Sequence, residues 1–296
     1  MKPAPFDYVA PRTVDEAVDH LGRHGGDARV LAGGQSLVRL MNCRLATPAV
    51  VVDINRVAGL DGIEVDNGSL RIGALARQRA SELSDLVRAE APLLAEAGAQ
   101  VGHPSVRRRG TVVGSIAFAD PSAELPAALL ALDGEAIVAG AGGERAVAAE
   151  DLFAGAFETS LAPGELITAV RIPRNARSRT GSAWVEVARR HGDLPVCGAG
   201  AVVMLSDDGG AIESARIALC GVGDRPTRAT AVEQALAGAE PTEDAIAAAA
   251  DRAARDLDPP SDPHGSAAYR RHLAVVITRR SLQRAAERAR EGGVHA

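Results

Sequence analysis

The chain begins with a helical pattern of apolar residues. The sequence indicates a capping box at Thr13-Val14-Asp15-Glu16. In such a box a hydroxyl and a carboxylate satisfy exposed backbone amides. Ala17, Val18 and Leu21 then recur at helical spacing. The pattern predicts a helix of about three turns that ends near Gly25-Gly26, because paired glycines commonly terminate helices.

Strand-like runs follow this helix. Residues 29–32, 49–54 and 69–74 are short, rich in β-branched residues and flanked by turn formers, which favours strands. Between the first two runs lies Gly33-Gly34-Gln35-Ser36, which we interpret as a strand-to-loop junction.

Helical spacing returns between residues 82 and 97, where we expect Pro92 to kink or divide the helix. A second glycine-bearing segment, residues 110–115, is interpreted as a loop, and an apolar helix is predicted from about residue 125 to 132. The first half of the chain is thus expected to alternate helix and strand around two glycine-bearing loops.

The second half is separated from the first by a polar stretch, residues 174–179, which is the candidate domain boundary. Strand patterns occupy residues 182–188, 197–205 and 211–220, and helix patterns occupy 229–236, 243–257 and 267–290. These elements predict a small α+β domain.

Length and charge narrow the class of protein. A chain of 296 residues exceeds a typical single domain, so two domains are expected. The sequence has no long apolar run and no export signal at its start, so a cytoplasmic protein without a transmembrane segment is expected. A net charge of -5 argues against nucleic-acid binding, and Arg107-Arg108-Arg109 is interpreted as a solvated or partner-facing surface.

Cysteine and lysine usage excludes several chemistries. Cys43, Cys197 and Cys220 are odd in number and far apart, which fits neither a disulfide framework nor a thiolate site for zinc or iron–sulfur clusters. Buried free thiols are therefore expected, and no metal site is predicted. Lys2 is the only lysine, which excludes a P-loop and an internal Schiff base.

The two glycine-bearing segments are the candidate binding residues. Gly33 and Gly34 let the backbone approach a ligand and direct several N–H donors into one concavity, which suits a pyrophosphate. Thr111, Gly114 and Ser115 offer a second set of donors, so two loops could hold one dinucleotide. Taken singly, each segment is weak evidence, because glycine pairs after strands are more often plain turns.

Two carboxylates follow the second segment. Asp120 and Glu124 are placed to accept hydrogen bonds from ribose hydroxyls, although a turn and a helix cap explain Asp120 equally well. His103 stands near the second segment, where a lone histidine is usually structural or solvated. No general base or nucleophile is assigned, so no catalytic residue is predicted.

At this point the residues resemble a known family. The segment Ala32-Gly33-Gly34-Gln35-Ser36-Leu37, together with Gly102-His103-Pro104 through Glu124, is similar to the FAD-binding signature of molybdenum hydroxylase medium subunits. This family includes the flavoproteins of carbon monoxide dehydrogenase and xanthine dehydrogenase. Segments near residues 187–193 and 269–273 resemble the family's C-terminal domain.

The resemblance implies an α+β fold with a two-subdomain vanillyl-alcohol-oxidase-like (PCMH-type) FAD-binding domain and a small α+β C-terminal domain. The expected bounds are residues 1–176, with subdomains of about 1–56 and 57–176, and residues 177–296 for the C-terminal domain. By resemblance, FAD contacts are expected from Ala32, Gly33, Gly34, Gln35, Ser36, Val101, Gly102, Thr111, Val113, Gly114, Ser115, Asp120, Glu124 and Leu166. Of these, the two glycine-bearing segments would hold the pyrophosphate, Glu124 would contact ribose and Leu166 would pack near the flavin ring.

The sequence departs from the family's pattern in three places. The second segment usually reads Thr-Ile-Gly-Gly, so Val113 places a side chain where backbone normally meets phosphate, and weaker FAD binding is an open alternative. Val185 stands about where xanthine dehydrogenase relatives carry a lysine, and Leu194-Pro195 replaces the usual Phe-Ala. These changes leave the electron acceptor open.

The family's activity implies an electron-transfer role. Such a subunit receives electrons from iron–sulfur clusters in a small partner subunit, after substrate oxidation at the molybdopterin of a large subunit, and passes them through FAD to an external acceptor. Two alternatives remain open from the sequence: a stand-alone flavin-dependent dehydrogenase or oxidase, and a structural subunit that no longer binds flavin.

Overall fold

The computed structural model describes residues 2–174 and 179–292, and it begins with a small unit of three strands and two helices. Strands β1 (Asp7–Val9), β2 (Ala28–Leu31) and β3 (Val50–Asp53) form a parallel sheet in the order β1-β3-β2. Helices α1 (Val14–His24) and α2 (Leu37–Asn42) connect the strands. As predicted, Thr13 caps α1, since its hydroxyl accepts a hydrogen bond from the Glu16 amide at 3.2 Å.

A five-stranded antiparallel sheet follows. It is built from β4 (Ile63–Asp66), β5 (Ser69–Gly73), β6 (Glu135–Gly140), β7 (Gly143–Ala148) and β10 (Leu166–Pro173), in the order β4-β5-β10-β6-β7. The short strands β8 (Phe153–Gly155) and β9 (Glu158–Thr159) pair beside it. The central strand β10 is apolar and almost wholly buried, and the sequence pattern did not distinguish this run from a loop or helix.

Seven short helices surround this sheet: α3 (Gln78–Leu83), α4 (Asp85–Glu90), α5 (Pro92–Gln100), α6 (Pro104–Arg107), α7 (Val112–Phe118), α8 (Glu124–Ala131) and α9 (Ala149–Leu152). Pro92 occupies the first turn of α5, which confirms the predicted division of the helix. The second glycine-bearing segment was expected to be a loop, but the chain enters α7 at Val112. The Thr111 hydroxyl explains this difference, because it caps α7.

The C-terminal part is a four-stranded antiparallel sheet packed against a long helix. Its elements are β11 (Thr180–Val187), β12 (Cys197–Leu205), β13 (Ile212–Cys220), β14 (Thr227–Arg228), α10 (Thr230–Leu236), α11 (Glu243–Ala250) and α12 (Ala267–Arg290). Helix α11 is shorter than predicted, since the chain continues in turns to Asp256, whose φ is 61°. At Gly181 an added Cβ would lie 2.1 Å from the Ala285 carbonyl oxygen, so α12 rests directly on the β11 backbone.

The C-terminal sheet is joined to the preceding helices by a partly buried polar contact. Glu96 of α5 accepts a hydrogen bond from the Trp184 amide at 3.0 Å and pairs with Arg288 of α12. Part of the predicted boundary, residues 175–178, lies outside the described residues, so the domain bounds stay a prediction. Within the described parts of the chain, no helix is long and apolar enough to cross a membrane.

Candidate cofactor site

The first glycine-bearing loop joins β2 to α2 and presents unpaired backbone amides. Gly34 has a φ of 71°, in the left-handed region that glycine adopts at least cost. None of the amides from residue 33 to residue 37 donates a hydrogen bond to another residue in the described chain. Successive amides of this kind, left without internal acceptors, form an anion-binding concavity.

Gly33 brings this loop into backbone contact with the second segment. A Cβ added at Gly33 would lie 2.3 Å from the Arg109 carbonyl oxygen and 2.8 Å from the Gly110 Cα. Gly110 is equally constrained, because its Cβ would meet the Gln78 side chain at 2.6 Å. The two predicted segments therefore lie side by side, and only glycine fits at their contact.

The second segment uses most of its donors internally. The Thr111 hydroxyl accepts a hydrogen bond from the Gly114 amide at 2.9 Å, and the Thr111 carbonyl accepts one from the Ser115 amide at 3.2 Å. The Ser115 hydroxyl makes no hydrogen bond among the described residues and is partly exposed. This segment thus offers fewer free amides than the first.

Val113 lies in the hydrophobic core, with 3% of its surface exposed. Its methyl groups pack among the buried residues that support α7. The sequence comparison with the family suggested that this side chain would occupy phosphate space. The helical turn at residues 112–114 instead directs it inward, which removes the steric objection to cofactor binding.

A hydrogen-bonded network that the sequence analysis missed connects the two segments. The Asn55 side chain donates to the Ala32 carbonyl at 2.8 Å, and the Arg77 guanidinium donates to the Asn55 side-chain oxygen at 2.7 Å. Arg77 also donates to the Arg109 carbonyl at 2.8 Å. One signal in the sequence could have indicated this network. Asn55 follows the buried strand β3 and Arg77 follows the buried strand β5, each within a few residues of the strand's end.

Asp53 holds Asn55 in place. Its carboxylate accepts hydrogen bonds from the Asn55 amide at 2.9 Å and from the Tyr8 hydroxyl at 2.6 Å. Burial opposes ionisation, but these hydrogen bonds outweigh it and lower the pKa of Asp53 below its usual value. The network therefore runs from β1 through the end of β3 to both glycine-bearing segments.

Val101 and Gly102 form the turn between α5 and α6, and a buried arginine fixes their shape. Arg107 donates to the Val101 carbonyl at 3.0 Å and to the Gly102 carbonyl at 2.8 Å, and it pairs with Glu82 at 2.8 Å. Arg107 is only 5% exposed. The interpretation of Arg107 as a solvated residue was therefore wrong, because its donors satisfy turn carbonyls, whereas Arg108 and Arg109 are exposed.

The two predicted ribose-contacting carboxylates differ in their surroundings. Asp120 is partly buried and accepts a hydrogen bond from the Ser122 amide at 2.9 Å, which is the turn geometry considered as its alternative role. Glu124 begins α8 and is 1% exposed. Burial raises the pKa of Glu124 to about 8, and the nearby carboxylates of Glu186 and Asp120 act in the same direction.

Glu124 lies at the junction with the C-terminal sheet. Burial raises the pKa of Glu186 on β11, whose carboxylate accepts a hydrogen bond from the Trp184 indole at 2.8 Å. Burial raises the pKa of the Cys220 thiol as well, with Glu124 as the next contribution. The predicted buried thiols are confirmed for Cys197 and Cys220, whereas Cys43 is exposed at the end of α2.

Two further residues named from the sequence, Leu166 and His103, lie outside the two glycine-bearing segments. Leu166 is buried at the start of β10, opposite Ala139. His103 is exposed, and its ring lies against Gly192, where an added Cβ would be 2.9 Å away. The turn containing Gly102 and His103 thus contacts the loop between β11 and β12.

Together, the free amides of the first loop and its glycine contact with the second segment are the features expected of a dinucleotide-binding protein. Comparisons with known proteins give the same class. Residues 4–175 match the family model described as the FAD binding domain in molybdopterin dehydrogenase, and residues 182–285 match the CO dehydrogenase flavoprotein C-terminal domain.

Similar proteins extend over nearly the full chain. The alpha subunit of the 6-hydroxypseudooxynicotine dehydrogenase complex of Paenarthrobacter nicotinovorans is 41% identical over 98% of this chain and 97% of its own. Caffeine dehydrogenase subunit beta of a Pseudomonas species (strain CBB1) is 38% identical, covering 97% of each. The solved structure of a Hydrogenophaga pseudoflava carbon monoxide dehydrogenase lacking the Mo-pyranopterin moiety matches with a TM-score of 0.94 and 38% identity, over 97% of this chain and 99% of that one.

The chain therefore belongs to the family of FAD-binding medium subunits of molybdenum hydroxylases, the family of the carbon monoxide dehydrogenase medium chains. It is an oxidoreductase subunit whose cofactor is FAD. The cradle at Gly33 fits this cofactor, because its amides are unpaired and no Cβ fills the space between the two segments.

Proposed function

We propose that this chain is the electron-transfer subunit of a molybdenum-containing hydroxylase or dehydrogenase complex. Electrons reach it from iron–sulfur clusters in a small partner subunit, after substrate oxidation at the molybdopterin of a large subunit, and leave it for an external acceptor. When bound, FAD supplies a centre that takes up electrons singly and releases them in pairs. The chain itself supplies the binding site and its electrostatics.

The observation that carries the proposal is the run of unpaired amides from residue 33 to residue 37 beside the Gly33–Gly110 contact. We assign the pyrophosphate to this place, with Ala32 to Ser36 on one side and Thr111 to Ser115 on the other. Val101 and Gly102 line the path of the cofactor, Asp120 and Glu124 stand on the ribose side, and Leu166 packs near the flavin ring. Neutral amides held in a fixed concavity stabilise phosphate charge without moving.

The chain's own cysteines offer no site for an iron–sulfur cluster among the described residues. Cys197 and Cys220 are buried, and Cys43 is exposed on α2, so they do not form a thiolate cage for an iron–sulfur cluster. We therefore place the single-electron carriers in the partner subunits.

The two alternatives from the sequence now differ in support. A structural subunit without flavin rested on Val113, and the burial of Val113 in the core removes that support. A stand-alone flavin dehydrogenase differs from the proposal in one measurable respect, since an organic substrate would reduce the isolated chain directly.

The proposal is tested by isolating the tagged chain from its source cells and measuring molybdenum, iron and flavin in the purified material. Molybdenum and iron are expected to copurify with the chain. Carbon monoxide, caffeine and 6-hydroxypseudooxynicotine, the compounds named in its relatives, then serve as anaerobic probes of flavin absorbance. We expect none of them to bleach the isolated FAD-loaded chain; bleaching without partners would establish the stand-alone enzyme instead.

A further inference from the structure

Two arginines at the contact between the glycine-bearing segments form no ion pair. Arg77 is partly buried, Arg109 is exposed, and no carboxylate lies within ion-pair distance of either guanidinium among residues 2–174 and 179–292, although Asp53 acts on Arg77 from a longer distance. Arg107, by contrast, is paired with Glu82. An unpaired, partly buried cation beside another cation raises the free energy of the folded state unless an anion binds next to them.

Arg77 is held in one orientation by neutral acceptors. Its two terminal nitrogens donate to the Arg109 carbonyl at 2.8 Å and to the Asn55 side-chain oxygen at 2.7 Å. Asn55 is itself fixed by Asp53 and by the Ala32 carbonyl. Arginine has five N–H donors, so others remain for a ligand. The side chain is therefore positioned before any ligand arrives.

The electrostatics of this place favour an anion. Partial burial lowers the pKa of Arg77, the neighbouring charge of Arg109 lowers it further, and the Asp53 carboxylate opposes these two effects without reversing them. The unpaired amides of residues 33–37 begin at Gly33, which packs against the Arg109 carbonyl to which Arg77 donates. The amides and the guanidinium are thus both anchored at the Gly33–Gly110 contact, and donors of these two kinds suit a dianionic diphosphate.

We propose that Arg77 is a pyrophosphate-binding residue: held by Asn55, it fixes the spacing of the two glycine-bearing segments and supplies positive charge to the FAD diphosphate. This inference rests on the proposed placement of the pyrophosphate at the first loop. It adds a positively charged residue to the pyrophosphate part of the site, for which the sequence indicated only the two glycine-bearing segments.

The test measures the dissociation constant of FAD by titrating the deflavinated chain at low and high salt. Arg77→Gln removes the charge, and its FAD dissociation constant is expected to rise about 10-fold at low salt, with a shallower dependence on salt. Arg77→Lys keeps the charge and should retain the wild-type salt dependence. Asn55→Ala keeps Arg77 and should weaken binding about 3-fold while retaining the salt dependence.

Arg23→Gln is the matched control, because it removes one charge from an exposed pair on α1. It should leave FAD binding unchanged. Melting temperatures of the flavin-free variants separate loss of folding from loss of binding. If Arg77→Gln lowers the melting temperature strongly, Arg77→Met, which keeps the aliphatic part of the side chain, provides the comparison without charge. A purely structural arginine would leave the salt dependence of FAD binding unchanged in this variant, whereas the proposal predicts a shallower one.

Two results overturn different claims. Wild-type affinity and salt dependence in Arg77→Gln, alongside loss of FAD in Gly33→Val, would refute the role of Arg77 and leave the placement of the pyrophosphate intact. Unchanged FAD binding in both variants would refute the placement itself.

Discussion

The two glycine-bearing segments differ in what their backbone groups do. In the first, residues 32–37, the amides of residues 33–37 have no acceptor among the described residues, and the loop is partly exposed. In the second, residues 110–115, the amides of Gly114 and Ser115 bond to Thr111, and Val112 and Val113 are buried in the core. The difference indicates that the first segment binds the ligand, whereas the second mainly sets the shape of the site.

The largest expected effect is therefore in the first segment. Gly33→Val would place a Cβ 2.3 Å from the Arg109 carbonyl oxygen, so the two segments must separate and the amides lose their arrangement. We expect the FAD dissociation constant to rise at least about 100-fold, measured by titration of the deflavinated protein. Gly26→Ala is the control, since nothing lies within 4 Å of its added Cβ. Stoichiometric FAD in Gly33→Val would refute the assignment.

The second segment is expected to respond in stability rather than in binding. Val113→Gly removes a buried side chain from the first turn of α7 and should lower the free energy of unfolding by about 3 kcal/mol. FAD affinity of the folded variant should stay equal or become tighter, because the family's own pattern has glycine here. Urea unfolding and FAD titration measure the two effects, with Val113→Ala as the intermediate. A large loss of affinity would mean that this segment contacts the phosphates through its side chains.

Glu124, which follows the second segment, should show its effect through pH. Burial raises the pKa of Glu124 from its usual 4.5 to about 8, so between these values the folded chain holds a proton that the unfolded chain has lost. Stability therefore falls as pH rises through this window. Glu124→Gln should flatten that fall and add on the order of 2 kcal/mol at pH 8, measured by unfolding at pH 5, 6.5 and 8.

The effect of Glu124→Gln on FAD affinity should be smaller than that of Gly33→Val, in line with the difference between the two segments. An unfolding free energy with the same pH dependence in the variant and the wild type would show that Glu124 is ionised in the folded chain.

The smallest effect is expected at the cap of α7. Thr111→Ala removes the acceptor of the Gly114 amide and should cost about 1 kcal/mol of stability, whereas Thr111→Ser keeps the acceptor and should cost little. Thermal unfolding of the two variants checks this. Equal melting temperatures for alanine and serine would show that the cap contributes nothing to stability.

The sequence predicted the elements whose patterns are local. The Thr13 cap, the division at Pro92 and the strand before Gly33 follow from short-range rules, and the structure confirms them. The first loop was recognisable for the same reason, since its glycines act within a few residues of one another.

What the sequence did not predict depends on contacts between distant segments. Strand β10 pairs with β5 and β6, which lie far from it in the chain, and its apolar run has no period that distinguishes strand from helix. Arg107 looked solvated beside two other arginines, and its burial became apparent only once Glu82 was placed next to it. Arg77 and Asn55 are 22 residues apart, so their hydrogen bond left no local pattern.

The most direct measurement is the visible absorption spectrum of the purified chain after incubation with excess FAD and removal of unbound cofactor, followed by release and chromatographic quantification of the flavin. We expect a bound flavin spectrum and about one FAD per chain, as a single dinucleotide site requires. A folded chain that retained no flavin under these conditions would contradict the central claim, since the free amides of the first loop would then bind something other than FAD.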